Sequence, residues 1–157
     1  MPPFPTPFPP SGPSRPDGDV GSEACPGCGA VLAVLPDAVP GHPGASPSCS
    51  RLFDVTVRGL RDEVQADPSA APLVRLAEAA YDAQHPVTGD AARLDSALTR
   101  LADMLGTRPD VAESSPPVWR TTIADAAADL DVIDLPVLLE SWARAVHEDW
   151  AGLVHPH

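Results

Sequence analysis

Cys25-Pro26-Gly27-Cys28-Gly29, followed by one further cysteine in Ser46-Pro47-Ser48-Cys49, constrains this chain more than any other feature. A C-x-x-C pair lets a tight turn place two sulfurs on one side, and a third thiol arrives from farther along. Three cysteines are an odd set and suit metal ligation better than a disulfide framework. A thioredoxin-like redox pair is the competing reading. It would follow a strand and open a helix in a βαβ setting, and no such setting is apparent.

A structural zinc site needs four donors, and a catalytic one needs three plus an open position. Cys25, Cys28 and Cys49 supply three. Two histidines compete for the fourth place. His42 gives the compact local spacing C-x2-C-x13-H-x6-C. His85 lies directly before Pro86, and only folding could bring it to the cysteines. If both approach, the surplus residue orients a ligand or holds a water. Cys49 falls in the first turn of an expected helix, where the helix dipole favours the thiolate. Zinc is favoured over an iron–sulfur cluster because a fourth cysteine is missing.

The rest of the chain reads as all-α, a small bundle of four to five helices behind an N-terminal zinc-knuckle loop. Residues 1–22 open Met1-Pro2-Pro3-Phe4-Pro5-Thr6-Pro7-Phe8-Pro9-Pro10 and read as a disordered Pro-rich tail. Residues 23–157 form one zinc-knuckle helical domain. Ala30–Leu35 is a short apolar run, either a small strand or a hydrophobic strap. Ser46 caps a helix with Pro47 at its first position, and Phe53, Val57, Leu60 and Val64 mark its buried face. Asp67-Pro68 ends it and starts the next, on which Leu73, Leu76, Ala77, Ala80 and Tyr81 face inward. That helix must stop before Pro86. Asp90 caps a third helix, with Leu94, Ala97, Leu98, Leu101, Met104 and Leu105 as its stripe and Gly106 as its stop. A Pro/Ser-rich loop covers 107–120. A short helix over Ile123 to Leu130 follows Thr121 or Thr122. Asp134 caps the last helix, with Leu138, Leu139, Trp142, Val146, Trp150 and Leu153 facing inward.

Composition narrows the function classes. The net charge is −12, and the ten basic residues, all Arg, are scattered among 22 acids. Nucleic acid and anionic membrane surfaces are therefore disfavoured as partners. No apolar run approaches the roughly 20 residues of a membrane span. The first residues lack the basic start and apolar stretch of a signal peptide, so a cytoplasmic location is expected. The Arg, Ala, Asp, Val and Pro usage looks bacterial and GC-rich.

Other candidate sites are weaker. Tyr81 and His85 share a helix face, which suits acid/base chemistry or plain packing. Asp125, Asp129, Asp131 and Asp134 lack the glycine and ligand spacing of a calcium loop, so they read as caps and a solvated face. Trp142 and Trp150 read as core.

Taken in order, Cys25-Pro26-Gly27-Cys28-Gly29-Ala30, His42, Ala45-Ser46-Pro47-Ser48-Cys49, Tyr81-Asp82-Ala83-Gln84-His85-Pro86, Thr122-Ile123-Ala124-Asp125 and the Trp142…Trp150 ending form a pattern. It resembles an uncharacterised bacterial domain-of-unknown-function family over residues 24–155. The resemblance implies that Cys25, Cys28, His42, Cys49 and His85 belong together, and it brings no assigned reaction. In that family further histidines often fall near the positions of Val74 and Arg100, and Trp often replaces Ser50. Loss of those histidines would make the cysteine site structural here.

Two functions are carried forward. The first is a zinc-stabilised helical module that binds a protein or small molecule as an accessory factor. The alternative is a small metalloenzyme of hydrolase or transferase type with an open zinc position. Redox sensing through Cys25 and Cys28 is a third reading.

Overall fold

The computed structural model describes residue 3 and residues 21–108 and 116–152. Among them are five α-helices and one two-stranded sheet. Strand β1 (Ser22–Ala24) pairs antiparallel with β2 (Val31–Ala33), with Ser22 opposite Ala33. The apolar run at 30–35 is thus a strand in part. Its partner is not legible in the sequence, because three residues show no alternation. Ser22, the last residue of the expected tail, belongs to the sheet. Of that tail only residues 3, 21 and 22 are described.

Helix α1 (Pro47–Ala66) starts as the sequence implies. The Ser46 hydroxyl accepts the Cys49 N–H at 3.2 Å, and Pro47 stands where no helical donor is needed. Phe53, Val57 and Leu60 are buried on one face. The helix ends at Asp67, whose carboxylate then caps a single 3-10 turn (Pro68–Ala70) leading into α2 (Ala71–Gln84). Asp90 caps α3 (Ala91–Leu105) by accepting the Arg93 N–H, and Gly106 ends it with a positive φ of 123°. Ala97, Leu98 and Leu101 are buried there, whereas Met104 is exposed. The apolar stripe outruns the helices that cover it.

Helix α4 (Ile123–Ala128) opens with a reciprocal cap between Thr122 and Asp125. Helix α5 (Leu135–Gly152) follows, with the Asp134 carbonyl accepting from Leu138 N–H. Leu153 and part of the 107–120 loop lie outside the described residues.

Helix α2 is the central element, packed most extensively on α3 and α5. Trp142 and Trp150 are fully buried, as expected. Burial of each such side chain contributes about 4 kcal/mol. Their indole N–H groups donate to Gln84 Oε1 (3.1 Å) and to the Ala83 carbonyl (2.9 Å), both at the C-terminal end of α2. Gln84, itself fully buried, also donates to the Thr121 carbonyl at 2.8 Å. The end of α2 is therefore held from two sides, and the next residue is His85.

Candidate metal centre

Three chain segments meet at the end of α2. The turn after β1 carries Cys25 and Cys28. Cys25 N–H bonds to the Ala30 carbonyl and Gly29 N–H to the Cys25 carbonyl, both at 2.9 Å, and Gly29 supplies the positive φ of 76° that closes the turn. The first turn of α1 carries Cys49, fully buried. The residue capping α2 is His85, also fully buried. Its Nδ1 sits 2.7 Å from the Tyr81 carbonyl, which can only accept. Nδ1 therefore carries a proton, which leaves Nε2 as the nitrogen that can turn a lone pair to a metal once its own proton is displaced.

One ligand atom from each of Cys25, Cys28, Cys49 and His85 lies within 4.8 Å of every other. Cys28 Sγ is 3.9 Å from Cys49 Sγ, and Cys49 Sγ is 3.4 Å from His85 Nε2. The cysteines are free thiols. Four buried donors this close can hold a metal ion.

His42 does not join them. Its Nδ1 accepts the Gly44 N–H at 3.0 Å, and its Nε2 donates to Asp82 Oδ1 at 2.8 Å. Both nitrogens have partners, so no lone pair faces the sulfurs. The ring instead stands edge-on to Tyr81 at 5.3 Å and fixes the loop next to Gly44. The sequence could not choose between the two histidines because local spacing favoured His42, while the end of α2 delivers His85.

Hydrogen bonds support the sulfurs from outside. Ser46 N–H points at Cys25 Sγ (3.4 Å), and the Tyr81 hydroxyl donates to Cys49 Sγ (3.3 Å). Tyr81 packs on the His85 ring at 4.0 Å and stacks on Phe53 at 4.1 Å. The shared helix face of Tyr81 and His85 thus serves the cluster. Burial, and then the bond to Cys49, push the Tyr81 phenol well above its ordinary range, so it remains a donor.

Without an ion the cluster shares protons. Hydrogen bonds from Cys28 and Cys49 hold the Cys25 thiol far below its usual pKa, whereas Cys25 and Cys28 push Cys49 far above it. Burial pulls the His85 imidazole down, but the Cys25 and Cys28 sulfurs outweigh it and raise it to about 9. A metal ion must displace those protons, so it binds more tightly as pH rises.

Asp82 anchors the surrounding shell. Its Oδ1 accepts from His42 and from Arg93 (3.2 Å), and its Oδ2 accepts from Arg100 at 2.9 Å. Burial opposes the charge, but His42, Arg100 and Arg93 hold the carboxyl down at about 2. A depressed carboxyl stabilises the fold above its unfolded pKa, and that contribution fades as pH falls from about 4 to 2. Asp82→Asn is therefore expected to cost about 2 kcal/mol at pH 7, with the gap to the parent closing below pH 4 in denaturant titrations.

The two histidines are separable by mutation. His85→Ala is expected to abolish stoichiometric metal in mass spectrometry of the purified protein. His42→Ala should keep it while losing about 1–2 kcal/mol of stability with the His42 bonds to Asp82 and Gly44.

A family model described as a family of unknown function, DUF5946, matches residues 23–115. The chain belongs to the DUF5946 family. All four clustered donors lie inside the region matched to DUF5946, whereas Thr122–Asp125, Trp142 and Trp150 lie beyond it. No curated protein and no solved structure matches the chain. Among the described residues no helix is long and apolar enough to cross a membrane.

Proposed function

We infer that this DUF5946 member is a zinc-stabilised helical module, with a structural ion held by Cys25, Cys28, Cys49 and His85. The reading rests on the donor set: three sulfurs and one correctly tautomerised imidazole nitrogen, all buried. Bond lengths of about 2.3 Å to sulfur and about 2.05 Å to nitrogen give tetrahedral edges of about 3.8 and about 3.6 Å. The 3.9 Å Cys28–Cys49 and 3.4 Å Cys49–His85 separations lie near these edges, and no two donor atoms are more than 4.8 Å apart. When bound, the ion ties three segments together and neutralises the thiolates.

The features that first suggested a metalloenzyme are engaged otherwise. His42 is tied to Asp82 and Gly44, and the Tyr81 hydroxyl is tied to Cys49. An accessory or binding role, with a protein or small-molecule partner and a cytoplasmic location, fits the acidic surface better than contact with nucleic acid or membrane.

Cobalt substitution tests the closed site. The expected result is the spectrum of a tetrahedral ion with three thiolates and one imidazole, unchanged by added azide or cyanide. One zinc per chain and three masked thiols are expected in the native protein. A spectrum that shifts on anion addition would reveal an open position and replace this reading with the metalloenzyme.

A further inference from the structure

Strand β2 keeps one edge without a partner among the described residues. Cys25 N–H bonds to the Ala30 carbonyl and Val34 N–H to the Gly21 carbonyl, and Ser22 stands opposite Ala33. Ala30, Leu32 and Val34 therefore turn their backbone groups towards β1. In an antiparallel pair the alternate residues turn theirs the other way. Those are Val31, Ala33 and Leu35. Leu35 N–H finds the Ser48 hydroxyl at 3.3 Å, in the first turn of α1, so this edge looks along that helix. Val31 and Ala33 are exposed, and their outward backbone groups have no protein partner among the described residues. An open edge is a template for another extended chain.

A groove of about 330 Å³ lies between this edge and α1. Leu32, Ala33 and Leu35 form one wall, Leu52 and Val55 the other, and Arg51 stands beside them. Leu35 is 44% exposed and Val55 49%, so both walls present aliphatic surface to water. A cavity of about 150 Å³ takes a six-carbon ring, so this groove takes about two aliphatic side chains. It is also locally basic on an acidic protein. No carboxylate lines it, and the nearby Glu23 accepts the Ser48 N–H at 3.1 Å. Most arginines of the described residues are ion-paired. Arg51 and Arg58, two turns apart on one face of α1, have no such partner among the described residues.

We propose that this groove takes an extended segment of another protein by strand addition to Val31 and Ala33. Two aliphatic side chains of the segment, two residues apart, pack on Leu52 and Val55, and an acidic residue lies beside Arg51. Each observation sets one property of the guest. The open edge asks for backbone N–H and C=O groups in a strand, the walls for alternate apolar side chains, and the unpaired guanidinium for a carboxylate. The chain's own first sixteen residues fit poorly, because their recurrent prolines cannot donate to a ladder. A second copy would bring another basic rim against this one. The inference gives the binding role proposed above its class of partner and rests on that reading, but it uses no metal ligand.

The probe is the capped peptide acetyl-Gly-Glu-Val-Thr-Val-Gly-amide. It is titrated at low salt into the metal-loaded whole chain, following the backbone amides of Val31, Ala33 and Val55 by NMR. These signals are expected to saturate with a Kd of about 0.1 mM, in keeping with two buried side chains. Lysine in place of the glutamate should weaken binding at least about tenfold. N-methylation of the three central residues should abolish it, since strand addition needs their N–H groups. Ala33→Pro, which removes only an outward N–H, should weaken the parent peptide about tenfold. Should that variant distort the sheet, Val55→Asp, an exposed position on α1, is read instead and should weaken it at least as much. Zinc content is measured on every sample, so the groove and the metal site can fail separately. No saturable shift, or equal binding of the lysine or N-methylated peptide, would overturn the proposal. Concentration-dependent shifts of the same amides without peptide would assign the edge to a second copy and overturn it too.

Discussion

Stripping the metal with a chelator is expected to unfold this domain, not merely to empty a site. Structural zinc contributes roughly 10 kcal/mol or more of apparent folding free energy. A domain of this size has a net stability of about 5–15 kcal/mol, so most or all of it goes with the ion. The local reason is the site's position. The turn after β1, the start of α1 and the end of α2 meet at the cluster, and Cys25, Cys28, Cys49 and His85 are all buried. Metal-free, the interior would hold a charged His85 and partly ionised sulfurs with no dication among them. The measurement is far-UV circular dichroism and thermal melting before and after chelation, with zinc added back. Loss of the cooperative transition and its recovery with zinc are expected. A chelated protein melting within about 2 °C of the parent would show that packing alone holds the fold. Cys49→Ser should mimic chelation, since it removes the sulfur that touches Cys28, His85 and Tyr81.

The second large effect comes from one added methyl group. A Cβ on Gly44 would stand 2.4 Å from the His85 carbonyl oxygen and 3.0 Å from its carbon. A Cβ on Gly27 would stand 2.5 Å from His85 Cδ2 and 2.6 Å from the Gly44 carbonyl oxygen. Neither glycine has a positive φ, so space and not backbone freedom demands them. The colliding atoms are mostly backbone and cannot rotate away. Gly44→Ala is therefore expected to cost about 3 kcal/mol and to lower metal affinity about 10- to 100-fold by displacing His85. Gly59 provides the control. It lies inside α1 with nothing within 4 Å of its would-be Cβ, so Gly59→Ala should stabilise by about 0.5–1 kcal/mol. Denaturant midpoints and competition with a zinc indicator measure both. Equal effects at Gly44 and Gly59 would refute the steric clamp.

Much of this fold is legible in the amino-acid sequence. The helix starts at Ser46 and Asp90, the stop at Asp67-Pro68 and the short α4 follow from caps and prolines, which act over three or four residues. The three cysteines announce their site by spacing. What the sequence hides depends on distance along the chain. His42 is near the cysteines in sequence yet is held away by Asp82, a residue on α2 forty positions later. Gln84 reads as an ordinary helical polar residue, but it joins Thr121 to Trp142. The role of Gly44 emerges only when His85 arrives against it. Strand β1 is too short for any periodicity, and Met104 continues a stripe that the fold no longer covers.

The tryptophans carry one more consequence. Trp119 donates its indole N–H to the carbonyl of Gly27, between the two paired cysteines, and sits edge-on to Trp150 at 5.7 Å. Trp142 and Trp150 are tied to Gln84 and Ala83, just ahead of His85. All three of the chain's indoles are thus wired to two of the three segments that the proposed ion would join. If the cluster binds its ion, the protein's own ultraviolet emission is expected to report metal binding, readable without any label.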